Sequence, residues 1–216
     1  MRFMRIQLWV AAVLSIVLTV APAPSAQDFH GCPPQGQGGD PALNRLKNRT
    51  EEPAQLEPMH FQDVVNLDVP EGVSKKHRDK WTQATRDAVS VHERRAVVVV
   101  GYLLKVKLEG PESPNCHSDE EPERDFHLWL ANSDDDDDKA DAVVVEVTPR
   151  IRARHPAWSR KNLGKFVKQK SKVRISGWLM LDPEHPDQVG KTRATVWEIH
   201  PIMKIEVWSG KKWREL

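Results

Sequence analysis

Acidic and histidine side chains alternate with apolar residues in three stretches of this sequence: DFHLWL (125–130), AVVVEV (142–147) and TVWEIHP (195–201). In an extended strand, successive side chains lie on opposite faces, so His127, Glu146 and His200 face away from the aliphatic residues. Two imidazoles and a carboxylate can bind a divalent metal, or act as acid and base near neutral pH. The alternative is that each histidine is a hydrogen-bonded strand residue and that Glu146 and Glu198 pair with arginine or lysine.

The motifs that usually mark an active site are absent from the sequence. It contains no HExxH pair, no phosphate-binding glycine loop and no nucleophile elbow. A metal or catalytic function for His127, Glu146 and His200 therefore depends on the register of three separate strands. A slip of one residue in any strand would move its member to the opposite face.

The other candidate ligand-binding residues have outward positions on predicted strands or lie in a loop stiffened by proline. They are Asp125, Trp129, Arg174, Trp178, Glu198 and, in the loop DPEHP (182–186), His185. The rings of Trp129 and Trp178 can stack on bases or sugars, although such residues also pack beneath a helix or an N-terminal extension. No cofactor is predicted, and a divalent metal is expected only if His127, Glu146 and His200 bind one.

The elements that position these residues follow from a change in hydrophobic period at Arg95. Five segments after it have apolar residues at every second position, which predicts strands over 96–108, 125–131, 142–147, 172–181 and 192–208. The last of these strands is expected to break at Pro201. The apolar stripe of 155–169 predicts a helix between the third and fourth strands.

This order of elements is that of the OB-fold, a five-stranded Greek-key barrel. Its first strand is long and bends sharply, and Gly101 lies where strand 96–108 would have to bend. We therefore expect a mainly β fold with some helix, an OB-like five-stranded barrel with a helix between strands three and four. A β-sandwich with appended helices is the alternative.

Residues 1–26 have the three parts of a secretory signal peptide. Arg2 and Arg5 precede an apolar stretch, and the small residues APAPSA (21–26) follow it. We expect export to the periplasm or the medium, with no membrane span once the leader is removed; an uncleaved N-terminal anchor is the alternative. The mature chain then divides into a partly helical extension (27–94), the barrel (95–208) and a C-terminal tail (209–216).

Two helices are predicted within the extension. One covers 41–48 with Asp40 as its N-cap, and the other covers 74–94 with Ser74 as its N-cap. Cys32, at the start of the extension, and Cys116, in the loop after the first barrel strand, are the only cysteines. In an oxidising compartment they are expected to form one disulfide, although two free thiols or a metal-bound Cys116 are alternatives.

The charge balance argues against general nucleic-acid binding. Removal of the leader takes two of the 32 basic residues and leaves 30 against 31 acidic ones, a formal charge of −1. Nucleic-acid-binding domains usually carry a basic excess or a basic stripe. The expected partner is therefore an extracytoplasmic ligand or protein of unknown identity.

Six motifs resemble those of known proteins. They are LNRLKNR (43–49), GPESPNCH (110–117), DFHLWL (125–130), VVVEVTPR (143–150), RISGWLMLDPEHP (174–186) and RATVWEIHPIMKIEV (193–207). They cover most of the mature chain, which resembles a family of secreted bacterial proteins of unassigned function. Relatives often have cysteine at the position of Pro114, which bears on any thiol or metal at that loop. The resemblance implies one exported domain and no established activity.

The sequence therefore favours an exported, non-enzymatic OB-like domain that binds an unknown ligand. Its binding surface is expected on the second and third barrel strands and the loops 109–124 and 182–191, which border the ligand groove in OB-folds. One alternative is a metal-dependent hydrolase, acting on a phosphodiester for example, that uses His127, Glu146 and His200. A second alternative is a structural protein of the cell envelope whose extension docks a partner.

Overall fold

The computed structural model describes residues 29–216, so the predicted signal peptide lies outside the described residues. The strands are β1 (Glu57–Pro58), β2 (Ala96–Leu108), β3 (Phe126–Ala131), β4 (Val143–Val147), β5 (Lys172–Leu181), β6 (Trp197–Trp208) and β7 (Trp213–Glu215). The α-helices are α1 (Pro41–Lys47), α2 (Phe61–Val65), α3 (Gln83–Glu93), α4 (Pro149–Arg152) and α5 (Arg160–Lys168).

Five of the strands close into a barrel. β2 pairs antiparallel with β3 and also with β5, β3 pairs antiparallel with β4, and β5 pairs antiparallel with β6. The circle is completed by a parallel contact between β4 and β6 at Val145 and Ile199. This is the OB topology, with α4 and α5 between the third and fourth barrel strands. The fold expected from the sequence is confirmed.

The barrel interior is filled by the apolar members of the alternating patterns. Phe126, Leu128 and Leu130 of β3 are buried in one core cluster, in line with the DFHLWL alternation. The core also contains these residues of the other barrel strands: Val97, Val99, Leu103, Val143, Val145, Val147, Val173, Ile175, Leu179, Leu181, Trp197, Ile199, Ile202, Met203 and Ile205. Polar residues at the intervening positions therefore lie on the outer surface of the barrel, as the period of two predicts.

Two glycines let strands cross at close range. A β-carbon at Gly101 would lie 2.4 Å from the carbonyl oxygen of Ala131, and one at Gly177 would lie 2.4 Å from the carbonyl oxygen of Pro201. Real β-carbons do not approach that closely, so any larger residue would force the paired strands apart. The expectation that β2 bends at Gly101 fits this close approach. The break expected at Pro201 is wrong, because β6 continues through Pro201 to Trp208, and the strand starts at Trp197 instead of at 192.

Two helices start later than predicted, because a residue inside each predicted segment acts as the N-cap. The Thr82 hydroxyl accepts a hydrogen bond from the Thr85 amide, so α3 begins at Gln83 instead of Ser74. Ser159 caps α5 in the same way through the Asn162 amide. Both caps lie inside the apolar periodic segments, which had suggested longer helices. α1 has the Asp40 cap that the sequence predicts.

The extension packs along the barrel and is joined to it by the predicted Cys32–Cys116 disulfide, whose Cα atoms are 5.8 Å apart. Near the bridge, the Asn48 side-chain amide donates to the Pro114 carbonyl at 2.8 Å. The residues expected to form a tail instead form a hairpin, in which β7 pairs antiparallel with β6. No helix of residues 29–216 has the length and apolar character that crossing a membrane requires.

Candidate functional site

The outer faces of β3, β4 and β6 bring the predicted polar residues together. His127 is paired in register with Glu146, and the parallel contact of β4 with β6 places His200 beside them. We call Asp125, His127, Glu146, Glu198 and His200 the polar centre. The loops 109–125 and 182–196 flank this surface, which is where OB domains bind their ligands.

The side chains of the polar centre are close enough to interact directly. His127 Nδ1 lies 3.7 Å from one carboxylate oxygen of Glu146, and His200 Nδ1 lies 3.5 Å from the other. His200 Nδ1 is also 3.4 Å from Glu198 Oε2. The structure therefore brings together the two histidines and the glutamate that the alternating patterns singled out, and it adds Asp125, just before β3.

The N-terminal extension buries the polar centre. The Arg49 guanidinium donates to the backbone carbonyls of Leu179 and His200, at 3.1 and 3.2 Å. His200 is 0% exposed, Asp125 1% and Glu146 6%. The expectation that these side chains stand on an open outer surface is therefore wrong. Alternation identifies the face of the barrel, but it does not reveal that a distant part of the chain covers that face.

Lys47 of α1 provides one positive charge beside the centre. Its ammonium lies 3.5 Å from Glu184 Oε2 and 3.9 Å from Glu112 Oε2. Burial alone would lower the pKa of Lys47, but the carboxylates around it, including Glu146 and Asp182, raise that pKa above its ordinary value. Lys47 is therefore a permanently charged, buried cation.

The acids of the centre have raised pKa values. Burial, reinforced by the charge of Glu112, raises the pKa of Asp125 to about 7. Burial and the charge of Glu198 raise the pKa of Glu146 well above its ordinary value, and burial likewise raises the pKa of Glu198. Burial and Lys47 lower the pKa of His200 well below its ordinary value. The lowered pKa of His200 favours the neutral imidazole at pH 7, and the raised pKa values of the acids make their protonated forms more favourable than in water.

A second charged network lies beside the centre, around Arg193. One guanidinium nitrogen, Nη1, donates to Asp182 Oδ2 at 2.8 Å and to Glu198 Oε1 at 2.6 Å. All three side chains are buried. Glu198, a predicted ligand-binding residue, is thus paired with an arginine. The sequence interpretation gave Arg193 no role although it fell within the predicted strand 192–208; in the structure β6 starts only at Trp197, and Arg193 lies in the loop before it.

His185, the candidate of the 182–186 loop, belongs to the same network. Its Nδ1 lies 2.7 Å from Asp182 Oδ2, and this hydrogen bond, with the charge of Asp182, raises the pKa of His185. A raised folded-state pKa stabilises the fold fully below the unfolded value of 6.5, and this contribution is lost as the pH rises through the folded-state value. The contribution is small because the side chain is 44% exposed.

We predict that His185→Gln lowers the free energy of unfolding by about 0.5–1 kcal/mol at pH 6 and by almost nothing at pH 9. Urea denaturation of both proteins at the two pH values measures the difference. His77→Gln, at an exposed position, should show no such dependence. A loss that grows with pH would contradict this assignment.

The remaining candidates have separate surroundings. Trp129 is buried on the polar face, where its ring stacks on His127 with centroids 4.4 Å apart and its indole nitrogen donates to the Thr192 carbonyl. Trp178 lies under the Arg49 guanidinium, 5.0 Å from its ring centroid. Arg174 is on a different face of the barrel. Packing beneath the extension, the alternative to stacking on a ligand, therefore describes Trp178.

An open groove of about 620 Å³ lies on that other face. Its floor is the outer side of β2, β5 and β6, and its wall is the segment 56–62, which leads into α2. Of the predicted site residues, only Arg174 contributes to it. Sequence alternation marked the outward positions of these strands, but the wall comes from a part of the extension without periodicity.

No protein-family model and no curated protein matches the chain. The resemblance to secreted bacterial proteins therefore stays a prediction. The constraints on function are those of the OB-like barrel itself, the covered polar centre and the open groove. They define an OB-like domain whose usual ligand face is occupied by its own N-terminal extension.

Proposed function

We propose that the protein is an exported OB-like binding domain without catalytic activity, and that its ligand binds in the groove on β2, β5 and β6. This proposal rests on a difference in exposure between two faces of the barrel. The usual ligand face of the barrel is buried beneath the extension, whereas the groove is open to solvent. The Cys32–Cys116 disulfide supports the export part of the proposal, because disulfides persist in oxidising compartments.

The groove floor consists of two rows of side chains that run across three strands. Register pairs Val98 with Ser176 and Ser176 with Lys204 in the first row. In the second row, Val100 pairs with Arg174, which pairs with Glu206. Both rows therefore change from apolar to polar or charged between β2 and β6.

This gradient indicates an amphipathic ligand. Val98, Val100 and the wall residues Leu56 and Met59 offer an apolar surface at one side. At the other side Arg174 Nε donates to Glu206 Oε2 at 2.6 Å, and Lys204 Nζ lies 3.1 Å from Glu215 Oε2. An apolar group on the valines with an acidic group near Arg174 and Lys204 would match both halves.

The metal-dependent hydrolase is less well supported. A hydrolytic metal needs an open coordination position for water or substrate, and Glu146 and His200 are buried beside the extension, with His127 only 13% exposed. A structural role in the cell envelope would use the same groove for a protein partner. We therefore retain binding of an acidic amphipathic ligand in the groove as the proposed function.

We predict that the anionic amphipathic dye 1-anilinonaphthalene-8-sulfonate binds the native protein saturably and that Val100→Glu weakens this binding by about tenfold. The new carboxylate removes apolar contact and repels the sulfonate, a combined effect of about 1.4 kcal/mol. Val100 is 37% exposed, so the change leaves the core intact. Dye fluorescence titration measures both affinities.

Val91→Glu is the matched control, because Val91 is an exposed valine on α3 that does not line the groove. It should leave the affinity for the dye unchanged. Equal weakening by both substitutions would mean that the dye binds elsewhere, and the groove would lose its support as a ligand site. The same pair of variants can then test each hit from a screen of acidic amphipathic ligands by thermal shift.

A further inference from the structure

The ligand atoms of three residues of the polar centre lie close together. Asp125, Glu146 and His200 each offer a ligand atom, and these atoms all lie within 4.8 Å of one another. The three side chains come from the loop before β3, from β4 and from β6, so the closed barrel fixes their relative positions. Two ligands of one zinc ion can be separated by at most about 4.4 Å, which is twice the longest usual bond. A shift of a few tenths of an ångström would bring the set to that spacing.

Asp125 has no hydrogen-bond partner for either carboxylate oxygen among residues 29–216. The Asn115 amide lies near Asp125, but its geometry falls short of a hydrogen bond and its nitrogen also lacks a partner among the described residues. An unsatisfied buried polar group is unfavourable, and more so if it is charged. Natural proteins rarely leave such a group without a ligand, an ion or a water molecule.

His200 is prepared to act as a ligand. Its Nδ1 is hydrogen-bonded to Glu198 Oε2, and Glu198 is held in turn by Arg193. The tautomer that donates from Nδ1 leaves the lone pair on Nε2, which has no partner among the described residues. A carboxylate that orients a histidine in this way is the usual support for a metal-bound imidazole.

The charges around the three residues also call for a cation. The carboxylates of Glu109, Glu112, Asp182 and Glu198 lie nearby, in addition to those of Asp125 and Glu146. The cations of the surroundings are Lys47, Arg193, Lys107 beside Glu109, Arg49 beside the His200 carbonyl and Arg152 near Asp125, one fewer than the six carboxylates. Buried carboxylates without enough positive charge are unfavourable, and a divalent ion would correct the excess.

We propose that Asp125, Glu146 and His200 bind one divalent first-row transition metal, of which zinc and manganese are the main candidates. An imidazole combined with two carboxylates favours these ions over calcium or magnesium, which prefer oxygen ligands throughout. Because the extension covers the site, the ion has a structural role and is retained during purification. Asp125 replaces His127 in the set suggested by strand alternation, since the ligand atoms that converge are those of Asp125, Glu146 and His200.

The test uses the full exported protein, purified without chelator and analysed by inductively coupled plasma mass spectrometry. We expect about one zinc or manganese ion per chain in the native protein and in the control Asp134→Asn, whose acid is exposed. Asp125→Asn and His200→Gln should contain almost none. Zinc or manganese chloride added to the metal-free native protein should raise the Tm by about 5–10 °C when the ion is in about hundredfold excess over its Kd.

Asp125→Asn also separates the metal site from a merely structural polar cluster. In chelator, asparagine removes an unpaired buried carboxylate, so this variant should melt at or above the temperature of the native protein. With the metal bound, the order should reverse. A native protein that contains no metal and gains no stability from either ion would overturn the proposal, and so would metal retained in Asp125→Asn.

Discussion

Replacing Arg193 with methionine is expected to lower the free energy of unfolding by about 3–5 kcal/mol at pH 7. The Arg193 guanidinium is the shared partner of Asp182 and Glu198, and all three side chains are almost completely buried. Methionine fills a similar volume but leaves Glu198 without its cation in a medium of low polarity, and it leaves Asp182 with only the partly exposed His185. Breaking a buried ion pair from one side costs far more than its net contribution would suggest, because the remaining charge is uncompensated.

Urea denaturation at pH 7 measures this loss, and Arg174→Met is the matched control. Arg174 also contacts a carboxylate through two nitrogens, that of Glu206, but its side chain is 32% exposed and water can replace the missing partner. The control should lose about 1 kcal/mol or less. If Arg193→Met lost no more than the control, the network around Arg193 would not be a major source of stability. Adding Glu198→Gln to Arg193→Met should recover part of the loss, because it removes the buried carboxylate that has lost its cation.

Removal of the Cys32–Cys116 disulfide is expected to cost about 2–4 kcal/mol. The bridge joins residues 84 positions apart, and closing a loop of that length restricts the unfolded chain by about 4.5 kcal/mol in the chain-entropy model. We expect less than this, because residual structure in the unfolded chain reduces the gain. The double variant Cys32→Ser/Cys116→Ser, compared with the native protein by urea denaturation, measures the effect.

The native protein denatured with a reducing agent should reproduce the stability of the double variant, since both lack the bridge. Thiol labelling of the denatured, unreduced native protein should find no free cysteine. Two labelled thiols would show that the bridge is absent, and a loss below about 0.5 kcal/mol in the double variant would show that it contributes little.

The barrel could be predicted from the sequence because each of its strands carries a local signal. The alternation in DFHLWL and AVVVEV indicates both the strand and the side that faces the core, and the bounds of Lys172–Leu181 are those of β5. A helix predicted between the third and fourth strands then favoured the OB topology over other arrangements of five strands. Helix starts were less accurate, because Thr82 and Ser159 act as caps within otherwise helical patterns.

The site was predicted less completely, for a physical reason. Alternation shows which face of its strand each side chain lies on, so the proximity of His127, Glu146 and His200 could be predicted from the sequence. Burial of these side chains depends on Arg49 and Lys47, which are distant from them in the sequence and lie in a segment with no pattern that predicts tertiary contacts. Asp125 was assigned to the strand face, and nothing in the sequence distinguishes an unsatisfied carboxylate from a solvated one.

The hydrogen bonds from Arg49 to the carbonyls of Leu179 and His200 also constrain the order of assembly. The His200 carbonyl lies 151 residues after Arg49, so this part of the extension reaches its final contacts only when β5 and β6 are in place. In an exported protein this step follows translocation, and the apolar residues of the unfinished barrel stay exposed until then. A mutation that slows barrel closure should then reduce the yield of folded protein more than its effect on equilibrium stability would suggest.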